Sequence, residues 1–230
     1  MINTIAKAEQ LRAEIMDVAV KNKQGHIAPS LSCLDILTVL YYSVAEEKDT
    51  IILSKGHGCY GLYAIWADLG LLSRDKWENF DMPGCVDGYG SLGHGLPVAV
   101  DVAFANKMLD NDKHTWVIVG DGELQEGSNW EALNFMFHHN LTNITVIVDC
   151  NGLQAMDRID NILFQSLEGR FLGWGFKPFT CDGHNHYELK QWLETKPLVL
   201  LAESVKGHGV SFMENKAEWH FKYPEMNNGG

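Results

Sequence analysis

Thr115-Trp-Val-Ile-Val-Gly-Asp-Gly122 is an apolar run that ends on Gly-Asp-Gly, and a second apolar run, Asn143-Ile-Thr-Val-Ile-Val148, is soon followed by Asn151-Gly152. Residues 123 to 150, 28 in number, separate the two motifs. A strand, a crossover helix and the next parallel strand take about 30 residues or more. The spacing therefore predicts two neighbouring parallel strands that end on the same sheet edge, where open α/β sheets bind ligands. The intervening helix is predicted over 128–139, with Trp130, Leu133, Phe135, Met136 and Phe137 on a broad apolar face. Ser128 and Glu131 are spaced as a capping box. A carboxylate from Asp121 and an amide oxygen from Asn151 are hard donors suited to Mg²⁺, which shares its other positions with phosphate oxygens and water. Gly-Asp-Gly alone is an ordinary turn. With the second strand, Asn151 and the gap, it points to a diphosphate group held through a metal.

Working outward, helices are expected over 5–23, with Ile5, Ala8, Leu11, Ile15 and Val18 on one face, then from a cap at Ser30 or Ser32 through Leu40 and Tyr41, and over 58–69, 95–109 and 187–193. Strands are expected over 50–53 and 198–203, with an edge strand over 174–179 because Pro178 cannot donate to a ladder. Strands of continuous apolar character alternating with helices indicate a doubly wound, mainly parallel α/β sheet with helices on both faces. The 230 residues fit one domain, with a frayed tail over 225–230. No run of 18 apolar residues and no basic-then-apolar leader is visible, which argues against membrane spans and secretion. Five dispersed cysteines without a CxxC fit free thiols in a reducing, cytoplasmic setting. The net charge of −12 argues against a nucleic-acid surface.

Further stretches extend the two strand-end motifs: Gln24-Gly-His-Ile-Ala28, Leu53-Ser-Lys-Gly-His-Gly58, Gly90-Ser-Leu-Gly-His-Gly-Leu-Pro97, Val205-Lys-Gly-His-Gly-Val-Ser-Phe-Met-Glu-Asn215 and Glu218-Trp-His220. Together, and in this order, they resemble the thiamine-diphosphate-binding half of a transketolase. The resemblance implies that Asp121, Asn151 and the Leu153 carbonyl hold Mg²⁺, for which Ca²⁺ or Mn²⁺ can substitute. It implies that Gly120, Gly122, Glu123, His57 and the glycine-rich loop at Gly93, His94, Gly95 and Leu96 bind thiamine diphosphate. His26, His57 and His220 would face the diphosphate or the sugar, where an imidazole can donate to oxygen and exchange protons near neutral pH. His94 is a weaker match, because many transketolases carry Gln there. Glu126, near a helix start, would belong to an acidic network at a subunit interface beside the aminopyrimidine ring. His184 and His208 read as structural, and His138, His139 and His186 as helix-surface residues.

Full transketolases continue into a pyrimidine-binding domain that supplies the ionising glutamate. The resemblance therefore implies an α₂β₂ assembly with a separate pyrimidine-binding subunit. A second departure is the stretch Phe80-Asp-Met-Pro-Gly-Cys-Val-Asp-Gly-Tyr-Gly90, where Cys85 stands in place of a sugar-binding histidine and the loop is short. A nucleotide-linked or otherwise unusual sugar acceptor would suit such a mouth. The implied activity is transfer of a two-carbon unit to an aldehyde or ketone. Its rivals are the thiamine-binding subunit of a pyruvate-consuming synthase or 2-oxo-acid dehydrogenase, and a non-catalytic regulatory subunit.

Overall fold

A computed structural model describes residues 2–79, 91–163 and 166–224. The expectations about Cys85, the short loop over 80–90 and the tail over 225–230 fall outside these residues. Within them, β1 (Thr50–Leu53), β2 (Thr115–Gly120), β3 (Ile144–Cys150), β4 (Phe179–Asp182) and β5 (Val199–Glu203) form one sheet in the order β1-β2-β3-β5-β4, every pair parallel.

The strands are continuously apolar because both sheet faces are buried. In β2, Trp116 and Ile118 enter one core while Val117 and Val119 enter the other. In β3, Ile147 takes the first side and Val146 and Val148 the second. The first core is closed by α1 (Thr4–Asn22), α2 (Ile27–Val39), α3 (Cys59–Asp68) and, further along the chain, the helix His186–Glu194. The second is closed by helices Gly95–Met108, Gly127–His138 and Leu167–Gly173. With the short helices Arg74–Glu78 and Ile159–Ile162 included, chain order makes these α4 (Arg74–Glu78), α5 (Gly95–Met108), α6 (Gly127–His138), α7 (Ile159–Ile162), α8 (Leu167–Gly173) and α9 (His186–Glu194).

α1 starts where the Asn3 side chain accepts a hydrogen bond from the Ala6 amide, and ends at Lys23 in the left-handed region (φ 51°). Its buried stripe runs Ala8, Leu11, Ile15, Val18 and Ala19, while Ile5 is exposed. α2 is different in kind, because all thirteen of its residues are buried. Truncating one of its leucines, such as Leu34, to alanine should cost about 2–5 kcal/mol. From Ile27 to Val44 the chain is apolar enough, and at 18 residues long enough, to cross a membrane; 78% of that window is buried inside the fold instead.

Several local expectations are corrected by tertiary contacts. α2 begins at Ile27, so Ser30 and Ser32 lie inside it and neither caps it. The Ser30 hydroxyl donates back to the His26 carbonyl at 3.0 Å, and Ser32 turns toward β3. The Ser128–Glu131 box does not form: Glu126 holds the cap position of α6 without a side-chain bond, and the Ser128 hydroxyl donates to the Gly93 carbonyl at 2.7 Å. The edge strand starts at Phe179 rather than at Trp174, which ends α8. His186 is buried rather than on a helix surface.

Candidate functional site

The pairing of Gly120 with Asp149 brings the ends of β2 and β3 level, so Asp121 and Asn151 emerge together at the carboxyl edge of the sheet. The end of β1 delivers Lys55 and His57 to the same edge, and the residue before α2 delivers His26. The segment after β5 delivers Lys206, and the 3₁₀ turn Ala217–His220 delivers His220. These residues line one cleft of about 400 Å³.

One corner of the cleft is built from oxygen. Asp121 is 5% exposed; one carboxylate oxygen accepts from the Gly122 amide at 2.8 Å and the other from the Gly152 amide at 2.6 Å. Burial outweighs these bonds and pushes the Asp121 carboxyl up to about 7, with the nearby Asp149 charge adding to the shift. The Asn151 Oδ1 accepts from the Leu153 amide at 3.0 Å, and Asn151 and Leu153 both face the cleft. Gln154, also lining the cleft, carries a buried side-chain nitrogen with no hydrogen-bond partner among the described residues. A buried carboxyl that favours neutrality, an amide oxygen beside it and an unsatisfied donor nearby fit a divalent cation with an oxyanion attached.

Another part of the cleft is made of nitrogen. The rings of His26, His57 and His220 lie with centroids 5.1–5.8 Å apart. Burial lowers the pKa of all three, and the charge of Lys206 beside His26 and His220, and of Lys55 beside His57, lowers it further; His220 is held at about 3. The three rings therefore favour the neutral form at pH 7, in which an imidazole has one donor and one acceptor nitrogen. The Lys206 ammonium donates to His220 Nδ1 at 2.9 Å, which leaves the His220 proton on Nε2. Burial, with Lys55 nearby, brings Lys206 down to about 8, so it remains mostly cationic at neutral pH.

Behind the cleft lies a fully buried ion pair between Lys55 and Asp149, 2% and 0% exposed. Burial opposes both charges, and each partner's charge overcomes it for the other. The Asp149 carboxylate also accepts from the Ser32 hydroxyl at 2.7 Å and from the Ser204 hydroxyl. Glu123 plays a similar part on the other side. Its carboxylate accepts from the Ser54 hydroxyl at 2.5 Å, the Gly93 amide at 3.0 Å and the Gly120 amide at 3.1 Å, tying the end of β1 and the glycine-rich loop to the Gly-Asp-Gly turn.

Residues 4–221 match the family described as transketolase, thiamine diphosphate binding domain. The chain belongs to this family. It is 34% identical to one of the named subunits of apulose-4-phosphate transketolase from Actinobacillus succinogenes, over 95% of this chain and 90% of that one. The subunit of the same name from Phocaeicola vulgatus is 31% identical over 95% and 88%. Human transketolase is 31% identical over 94% of this chain but only 39% of its own length. The transketolase structure from Campylobacter jejuni superposes with a TM-score of 0.87 at 26% identity, over 96% of this chain and 41% of that one. The chain thus spans about two-fifths of these two transketolases and nearly all of the two apulose-4-phosphate transketolase subunits.

Within this transketolase domain, His26, His57, His220, Gly120, Asp121, Gly122, Glu123, Glu126, Asn151 and Leu153 all line the cleft. Gly93, His94, Gly95 and Leu96 do not; the glycine-rich loop contributes Leu92. Gly93 (φ 82°) and Gly95 serve close packing, since a Cβ on Gly95 would meet the Ser54 backbone at 2.5 Å and Leu96 is core. Lys55, Lys206, Asp149, Ser32 and Ser204 carry much of the site's electrostatics; Lys55 and Lys206 fall within the quoted stretches, but the sequence assigned a role to none of the five. One signal for them exists: an aspartate in a strand otherwise apolar and buried must find a partner. His184, His186 and His208 gather instead around Asp35, away from the cleft. The ligand atoms of Asp35, His184 and His208 lie within 4.8 Å of one another. Both His184 nitrogens are already engaged: Nδ1 donates to Asp35 at 2.7 Å and Nε2 accepts from the Val205 amide at 2.8 Å.

Proposed function

We propose that the chain is the diphosphate-binding subunit of a two-chain, thiamine-diphosphate-dependent transketolase-like enzyme. Bound thiamine diphosphate supplies a carbanion and an electron sink for moving a two-carbon unit between carbonyl compounds. The observation that carries the reading is the oxygen corner: Asp121 and Asn151, at level strand ends, share a cleft with the Lys206 ammonium. Asp121, Asn151 and the Leu153 carbonyl would hold Mg²⁺, and Lys206 would balance the diphosphate charge. The neutral His26 and His57 would donate to and accept from substrate hydroxyls and carbonyl oxygens, moving protons as charge develops there, and His220 would donate through Nε2.

One observation supports a separate pyrimidine-binding partner. The relatives that the chain covers to about nine-tenths are each named as one subunit of their enzyme. An α₂β₂ assembly is the form proposed for the pair. Because those relatives are named for apulose-4-phosphate, a phosphorylated sugar is favoured over a nucleotide-linked one. Among the described residues, the free thiols Cys33, Cys150 and Cys181 support a reducing, cytoplasmic setting.

Calorimetric titration of thiamine diphosphate into the chain paired with its partner, with and without Mg²⁺, tests the cofactor reading. Binding that needs no divalent ion would reject the oxygen corner as a metal site. Donor assays with ketose phosphates against pyruvate test the reaction; a strict requirement for pyruvate would move the enzyme to the synthase branch.

A further inference from the structure

We propose that Ser32 is a positioning residue for the metal corner: its hydroxyl, held by Asp149, orients the Asn151 amide so that the carbonyl oxygen is the atom offered to the cation. The inference rests on the proposed role of Asp121 and Asn151 as metal ligands.

An asparagine amide has two chemically opposite ends of nearly equal size, and only its oxygen can ligate Mg²⁺. Something must choose between them. On one side, Asn151 Nδ2 donates to Ser32 Oγ at 3.0 Å and lies 3.4 Å from Asp149 Oδ2. Ser32 has a single hydroxyl hydrogen, and it is directed to the Asp149 carboxylate at 2.7 Å. The Ser32 oxygen therefore presents a lone pair to Asn151, and the carboxylate beside it is a pure acceptor. On the other side, Asn151 Oδ1 receives the Leu153 amide hydrogen at 3.0 Å. The flipped amide would set its carbonyl oxygen against the carboxylate and its NH₂ against the Leu153 N–H. Both ends of the amide therefore select the same orientation.

The rest of the cage keeps Ser32 an acceptor. The Lys55 ammonium pairs with Asp149, and the Ser204 hydroxyl donates to the same carboxylate, so the carboxylate remains an acceptor for the Ser32 hydrogen. Lys55 also donates to the Pro29 carbonyl at 2.9 Å, and Pro29 lies one helical turn before Ser32 on α2. The carbonyl oxygen and the hydroxyl are thus fixed to one another through the pair. Ser204 donates to Asp149 and its hydroxyl lies 3.3 Å from that of Ser32, but it makes no bond to Asn151, which makes it the internal comparison.

Removing an outer partner of a metal ligand commonly costs about 10–100-fold in metal affinity. The test is the Mg²⁺ concentration needed for half-maximal thiamine diphosphate binding, read by calorimetry on the chain co-expressed with its partner, with circular dichroism to check folding. Ser32→Ala should raise that concentration about tenfold, and Ser204→Ala by less than about threefold. Asn151→Asp supplies an oxygen whichever way it turns, so adding Ser32→Ala in that background should cost less than about twofold. If Ser32→Ala does not fold, Ser32→Cys, close in size and a weak hydrogen-bonding group, is expected to show the same rise. The inference is overturned by unchanged Mg²⁺ dependence in the folded Ser32 variant, by equal losses for Ser32→Ala and Ser204→Ala, or by a full tenfold loss persisting beside Asn151→Asp. Lack of metal-dependent binding in the unsubstituted chain would overturn the parent reading, and this one with it.

Discussion

Two groups of three histidines sit along one helix, one at its start and one about two turns further on, and they do opposite things. Before α2, His26 meets His57 and His220 beside two lysines, with no carboxylate bonded to any of the rings in the described residues. Further along α2, Asp35 collects His184, His186 and Arg12, with His208 stacked on His184 at 3.6 Å between ring centroids. Burial alone would raise the Asp35 carboxyl, but bonds from His184 and His186 and the charge of Arg12 hold it well below the usual carboxylate range. The second group is closed upon itself. The first keeps ring atoms available to a cleft because positive neighbours, rather than a negative one, surround it. Residue type does not separate the two groups; the sign of the adjacent charge does.

The comparison breaks most visibly at its closed end. Asp35→Ala removes a buried carboxylate from the half-buried Arg12 guanidinium and from two imidazoles, and removing one member of a buried pair costs about 3–5 kcal/mol. For a chain of this size that lowers the melting temperature by on the order of 10 °C. A fall of a degree or two in thermal denaturation would show that the Asp35 group is not a structural clasp. The open end should respond in binding instead. Asp121→Ala should weaken Mg²⁺-dependent thiamine diphosphate binding about a hundredfold, or ~2.7 kcal/mol, while the folded chain without cofactor stays intact; undiminished binding by calorimetry would remove Asp121 from the metal corner. Lys206→Met should cost about tenfold in the same titration, or ~1.4 kcal/mol. It should also let His26 and His220 titrate at higher pH, because Lys206 is among the causes holding both down. Proton NMR of the imidazoles reads that shift directly, and unchanged titration would remove Lys206 as its cause.

The smallest expected effect is in pH dependence, where the two parts of the cleft oppose one another. His57 and His220 have folded-state pKa values below 6.5, so their contribution to stability is present above pH 6.5 and is lost as pH falls, toward about 3 for His220. Asp121 has a folded-state value of about 7, above its ordinary 3.8, so its contribution is complete below about 3.8 and is lost as pH rises through 7. The histidines should win on acidification. Denaturant unfolding without cofactor should show stability falling from pH 6.5 to 4, and Asp121→Asn should steepen the fall. A shallower fall in that variant would contradict the raised Asp121 value.

The parts legible in the sequence were those written locally. The apolar runs of β2 and β3, the 28-residue gap and the two strand-end motifs fix the sheet edge without reference to distant residues. What was not legible depends on partners far away in the chain. Ser32 meets Asp149 across 117 positions, and His184 meets Asp35 across 149. Ser128 had the right neighbour for a capping box and was claimed by the Gly93 carbonyl instead, a tertiary bond outcompeting a local one. His186 follows the Asn185 cap of α9, where a surface position was reasonable until Asp35 supplied a buried acceptor.

α2 leaves no side chain to solvent, yet its length joins both histidine groups and the Ser32 hydroxyl. Innovation in such a rod is costly, because almost any replacement that altered chemistry would also disturb folding. Descendants acquiring new sugar preferences would therefore be expected to diverge in the segments at the rim while this axle stays nearly frozen. An engineer redirecting the enzyme would do well to randomise the mouth and leave the axle untouched.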